Sequence, residues 1–191
     1  MADRGDEVGV GRELRTLILD RLADERGVHA ETAVSAAARM AGTFLLRSFD
    51  LPIATLEPGA PVLSDLVNDE GPALVEILVL ALDQMKIPID RARVSAANQG
   101  GFALLTVLEM QERLEAGLTA IVKTHGFDYR GAARAAAFAA AFLVQDTKDV
   151  LDPSKAFGIA AYGFVEGSKT VPHRLPDGVG VVKKKPWYKL W

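Results

Sequence analysis

The chain has 191 residues, of which 49% are hydrophobic and 25% charged, with a net charge of −3. That is enough chain for one well-formed core, and the composition is globular, not disordered. There is no cysteine, which excludes disulfide scaffolds, cysteine zinc sites and thiol nucleophiles and fits a reducing, cytoplasmic setting.

The first stretch, MADRGDEVGVGREL, lacks the apolar run of a signal peptide, and residues 1–10 read as a flexible N-terminus. Gly9-Val10-Gly11 could present backbone N–H groups to an anion. Leu14, Leu17, Ile18 and Leu22 recur at helical spacing and predict a first helix over 11–26, with Gly27 as its stop. A second helix is expected over 29–49, ending before Leu51-Pro52. Residues 51–72 hold four prolines and two glycines and read as a loop with one short helix near 62–68.

Pro72 suits a first helical turn, so the next helix is expected over 73–86. A short helix near 90–98 leads to Gln99-Gly100-Gly101, a break. The longest periodic stretch is 102–124, with Leu104, Val107, Leu108, Leu114, Leu118, Ile121 and Val122 on one face. An alanine-rich helix over 129–148 and a last helix over 153–168 follow. No apolar run is long enough to span a bilayer. The expectation is an all-α, single-domain bundle of six to seven helices over 11–168, carrying an extended basic-aromatic C-terminal tail over 169–191.

In the last helix, Ala156, Ala160, Gly163 and Gly167 form a stripe of minimal side chains. Glycine weakens a helix by about 1 kcal/mol relative to alanine, so close helix approach must offset it. The 129–148 helix is the expected neighbour. The other reading is a homodimer seam.

His29-Ala30-Glu31 matches half of a zinc deaminase signature, but its cysteine half cannot exist here. Two fully helical residues at i and i+2 also diverge. The simpler reading is a helix start with Glu31 at the positive end of the dipole. Thr32, Ser35, Arg39 and Thr43 make a polar stripe on the same helix. It reads as a solvent edge, or as the lining of an inter-helix pocket where Arg39, with His29, Thr32 and Ser35, meets an anionic ligand.

Glu76 and Asp83 share the polar side of a mostly buried helix. Arg130, Arg134, Gln145 and Lys148 read as a solvated basic stripe. No histidine pair has metal-ligand spacing and no phosphate or dinucleotide loop occurs, so no metal and no cofactor is expected. Nucleic acid is not an expected partner, because the body is acidic and lacks a recognition motif.

The tail, residues 169–191, carries six Lys/Arg against one Asp, while the other 168 residues carry sixteen against twenty-four acidic ones. It holds both tryptophans of the chain. Lys183, Lys184 and Lys185 supply charge; Trp187, Tyr188, Leu190 and Trp191 supply anchors with apolar bodies. The expected function is a non-catalytic helical interaction or adaptor protein whose tail docks on a partner protein or a sister subunit of a homodimer. The alternatives are an enzyme or anionic-metabolite sensor with its pocket around Arg39, and a peripheral binder of anionic membrane through the tail.

Overall fold

A computed structural model describes residues 4–94, 103–175 and 180. Among the described residues the fold is all-α. The helices are α1 (Arg4–Leu22), α2 (Ala30–Ser48), α3 (Asp65–Glu70), α4 (Pro72–Gln84), the single turn α5 (Arg91–Val94), α6 (Val107–Thr124), α7 (Tyr129–Thr147) and α8 (Pro153–Ser168). Seven of these have six or more residues, matching the expected bundle. The described residues form no strand, only isolated bridges between Asp24 and Gly27 and between Pro61 and Thr170. No described helix is long and apolar enough to cross a membrane.

The core is built around α2. Every residue from Thr32 to Leu46 is buried, because α8, α7, α6 and α1 all pack against it. Alanines make this possible, since small side chains let several helices close round one axis. The alanines of α7 serve the same purpose, packing on α2, α1 and α4.

The closest approach is between α2 and α8. A Cβ at Gly167 would fall on the Arg39 carbonyl oxygen, and one at Gly42 on the Phe164 carbonyl oxygen. At Gly163 it would lie 2.8 Å from the Ala38 Cβ. The small-residue stripe of α8 is therefore covered inside the chain. Its neighbour is α2, not α7 as the alanine content suggests, because Gly42 supplies a matching gap on α2. The stripe leaves no basis for a dimer seam.

Two helix starts differ from the sequence reading. Helix α1 starts at Arg4, not near residue 11, so Gly9-Val10-Gly11 lies within a helix and forms no anion loop. Tertiary contacts account for this: Val10 is buried, Gly11 packs on Ala135 and Phe138 of α7, and buried Glu7 pairs with Arg134 at 2.7 Å. Helix α6 starts at Val107, not 102, because Thr106 and Glu109 form a capping box there; Leu104 precedes it and is 70% exposed. Gln99-Gly100-Gly101 lies outside the described residues.

After α8 the chain is pinned to the 59–62 loop. Gly59 N–H donates to Val171 O at 2.8 Å, Val171 N–H to Ala60 O at 2.9 Å, and Val62 N–H to Lys169 O at 2.8 Å.

Two helical glycines should respond to alanine in opposite directions. A Cβ added at Gly9 would meet nothing within 4 Å, so Gly9→Ala should raise stability by about 0.5–1 kcal/mol through helix propensity. Gly167→Ala should lower it by about 1–3 kcal/mol or more, because the methyl meets backbone that cannot yield locally. Urea unfolding midpoints of the two variants against the parent check both signs.

Candidate functional site

The polar stripe of α2 points inward. Thr32, Ser35, Arg39 and Thr43 are all buried, Arg39 to 4% exposure. This corrects the solvent-edge reading, and the cause is the central position of α2, which leaves it no outer face. Arg39 does meet an anionic group, but one from its own chain. Its Nε donates to Glu166 Oε2 at 2.6 Å and its Nη1 to Leu105 O at 2.6 Å. Thr32 Oγ1 accepts the Leu104 N–H at 2.9 Å and contacts His29 Nδ1 at 2.9 Å. The structure thus groups His29 with Thr32, and turns Arg39 toward α8 and the segment before α6.

His29 and Glu31 do come together, at 3.3 Å. The divergence expected of two helical residues does not apply, because His29 is the N-cap with extended backbone. Glu31 also pairs with Lys155 at 3.2 Å. Burial pushes its carboxyl up, but its own backbone N–H, Lys155 and His29 outweigh that and hold it below the ordinary glutamate value. The two arginines of the basic stripe are paired as well: Arg134 with Glu7, and Arg130 with Glu70 at 2.6 Å while lying over the Phe49 ring; Lys148 is exposed, as expected.

A second buried ion pair has no signature in the sequence. Arg47 grips the Glu115 carboxylate with Nε and Nη2, and Nη2 also donates to His173 O at 2.6 Å. Glu115 is 2% exposed. Burial pushes its carboxyl up against the opposing pull of Arg47. One turn earlier on α6, Gln111 Nε2 donates to Thr43 Oγ1 at 3.0 Å. On the same face Gln111 Oε1 and Thr119 Oγ1 are buried without a hydrogen-bond partner among the described residues. No group of three His, Asp or Glu among the described residues is placed to hold a metal ion.

A large concave feature of the surface lies elsewhere. A groove of about 720 Å³ runs between α3–α4 and the C-terminal half of α8. Val67 and Phe164 form a buried floor, while Val79, Leu80 and Val165 are about half exposed along its walls. Asn68, Glu76 and Lys169 supply its polar edges. A second hollow of about 510 Å³ shares Val79 and is lined by Leu82, Ile87, Pro88, Ile89 and Phe157. The size of the first lies within the range of about 300–1,000 Å³ typical of ligand sites.

The sequence carries a signal for this groove. PALVEILVLALDQ has apolar residues at 75, 79 and 80 in addition to the core face at 74, 78, 81 and 82. A helix apolar over that much of its circumference is either buried all round or presents an apolar outer face. The pattern alone favours a mostly buried helix; the half-exposed Val79 and Leu80 show an outer face instead. Glu76 and Asp83 are exposed, as expected.

Lys183, Lys184, Lys185, Trp187, Tyr188, Leu190 and Trp191 lie outside the described residues. Compared with protein-family models, curated proteins and solved structures, the chain finds no match in any of the three.

Two measurements separate the structural from the functional parts. Glu115→Ala leaves the Arg47 guanidinium without its buried partner and should cost about 3–5 kcal/mol in urea unfolding, with part of the loss recovered in Arg47→Met/Glu115→Leu. Leu80→Glu in the groove wall should cost far less, no more than about 1.5 kcal/mol, since Leu80 is 54% exposed.

Proposed function

We propose that the protein is a non-catalytic helical interaction module, with the α4–α8 groove as its receiving surface and the C-terminal tail as a contacting segment. The observation that carries this reading is the groove itself: half-exposed Val79, Leu80 and Val165 over a buried floor. Large apolar concavities on a protein surface mark interaction sites more often than they occur by chance. The chemistry of the partner follows from the surroundings. Residues 48–85, which build one wall and its approach, contain seven acidic side chains and no Lys or Arg. An apolar or aromatic segment flanked by basic residues fits such a site, with charge setting encounter and the anchors setting affinity.

Arg39 supports the non-catalytic reading in another way. Its Nε and Nη1 are engaged by Glu166 and Leu105 of its own chain, and the side chain is buried, which argues for a structural role over capture of an anionic metabolite. The absence of cysteine supports a cytoplasmic setting. Self-association keeps only the tail in its favour, since α2 covers the small-residue stripe.

A photo-crosslinking residue in place of Val79, in the full chain in its native cells, tests the proposal. The expected product joins residue 79 to an apolar or aromatic segment of another protein flanked by Lys or Arg, and Leu80→Glu abolishes it. A crosslinker at exposed Arg21 giving the same products, or residue 79 giving none with another protein, overturns it.

A further inference from the structure

We infer that the chain's own segment 181–191 occupies the α4–α8 groove in cis, with Trp187 and Trp191 as its anchors, so that a partner must displace it. This regulatory step rests on the reading of the groove as a docking site.

Three observations point to that occupant. The first is where the described chain delivers the segment. Arg47 holds the carbonyl of His173, and Gly180 lies against the Tyr129 hydroxyl. The next residue, Arg130, pairs with Glu70 at 2.6 Å, and Glu70 adjoins Gly71 in the groove wall. Residues 181–186 extend to at most about 20 Å, and the Arg130–Glu70 pair links the helix that bears Tyr129 to that wall.

The second is charge. The segment 181–191 has four lysines and no acidic residue, against the seven acids and no base of residues 48–85. Asp65, Asp69, Glu76 and Asp83 belong to α3 and α4 themselves. Opposite charges on two parts of one chain favour their encounter at low ionic strength.

The third is size and chemistry. Two indoles, a phenol and a leucine need an apolar cover, and each large aromatic buries about 150–250 Å² when docked. The 720 Å³ groove, floored by Val67 and Phe164 and walled by Val79, Leu80 and Val165, offers that cover. A cis ligand on a short tether also needs less intrinsic affinity than a free one, since its effective concentration is about millimolar.

Both tryptophans lie in this segment, so intrinsic fluorescence of the full chain reports on it alone. In dilute purified protein the emission should be blue-shifted and independent of concentration, with a monomer mass by light scattering. Leu80→Glu and Val165→Glu should each shift it to the red and raise acrylamide quenching at least about threefold, while helical circular dichroism stays as in the parent and the melting temperature falls by only a few degrees, the share that the docked segment supplies. Leu63→Glu, at a 91% exposed residue that does not line the groove, should leave emission unchanged.

Red emission in the parent, or blue emission that both groove variants leave intact, overturns the inference. Blue emission that appears only as a dimer forms also overturns it, by making a second copy the donor of the segment. The two proposals fail separately. Crosslinks from residue 79 to a partner, with groove-insensitive fluorescence, sink the cis occupant alone. Groove-sensitive fluorescence, with crosslinks only to the chain's own tail, sinks the partner reading alone.

Discussion

The structure depends on the backbone contact between α2 and α8. Gly42, Gly163 and Gly167 leave gaps at the crossing, and into these gaps come the Phe164 carbonyl, the Ala38 methyl and the Arg39 carbonyl. Each glycine weakens its own helix, so the seam is held by packing that only this proximity allows. The contact fixes the rotation of α8. With Gly163 and Gly167 turned to α2, Phe164 must point to the floor of the groove and Val165 to its rim. The site is in that sense a by-product of the seam, since α8 cannot rotate its apolar residues inward without separating from α2.

The buried charges follow from the same geometry. A central helix with no outer face must hide its polar residues, and α2 does so by pairing them. Arg39 reaches α8 through Glu166; Arg47 reaches α6 through Glu115 and the tail through His173. Desolvation offsets most of the attraction in such pairs, so their net stabilisation is small. Their loss is costly, however, and a register shift of α6 or α8 along α2 would break them. They discriminate between packings that the uniform alanine surfaces of α2 and α7 would otherwise tolerate equally.

Helix identity is legible in the sequence because apolar periodicity and the punctuation at Gly27, Pro72, Gly126 and Pro153 are local. The last helix is read to the residue, with Asp152 capping Ser154 and Lys155. What the period does not contain is which neighbour covers a face. The Thr32–Arg39–Thr43 stripe has the spacing of a solvent edge, yet α6 and α8 close over it. The near absence of Lys and Glu from the body of α2 is the available warning. The same limit hides the groove: Val79 and Leu80 look like core, and only the position of α8 shows that nothing described covers them. Residues 4–10 escape the pattern for a related reason, since glycines 9 and 11 mark a loop by propensity while Glu7, Val10 and Gly11 are held by α7.

If the tail fills the groove, the tether sets a condition on any partner. A cis segment at about millimolar effective concentration outcompetes a free ligand of equal intrinsic affinity at micromolar levels. A successful partner therefore needs contacts that the tail does not make. The adjoining hollow around Ile87, Ile89 and Phe157 shares Val79 with the groove, so a longer segment could occupy both and gain area unavailable to an eleven-residue tail. Charge provides a second route. Four lysines drawn to α3 and α4 lose attraction as salt rises, whereas the apolar anchors do not. Higher ionic strength should thus favour a partner that relies on apolar contacts over the basic segment it replaces.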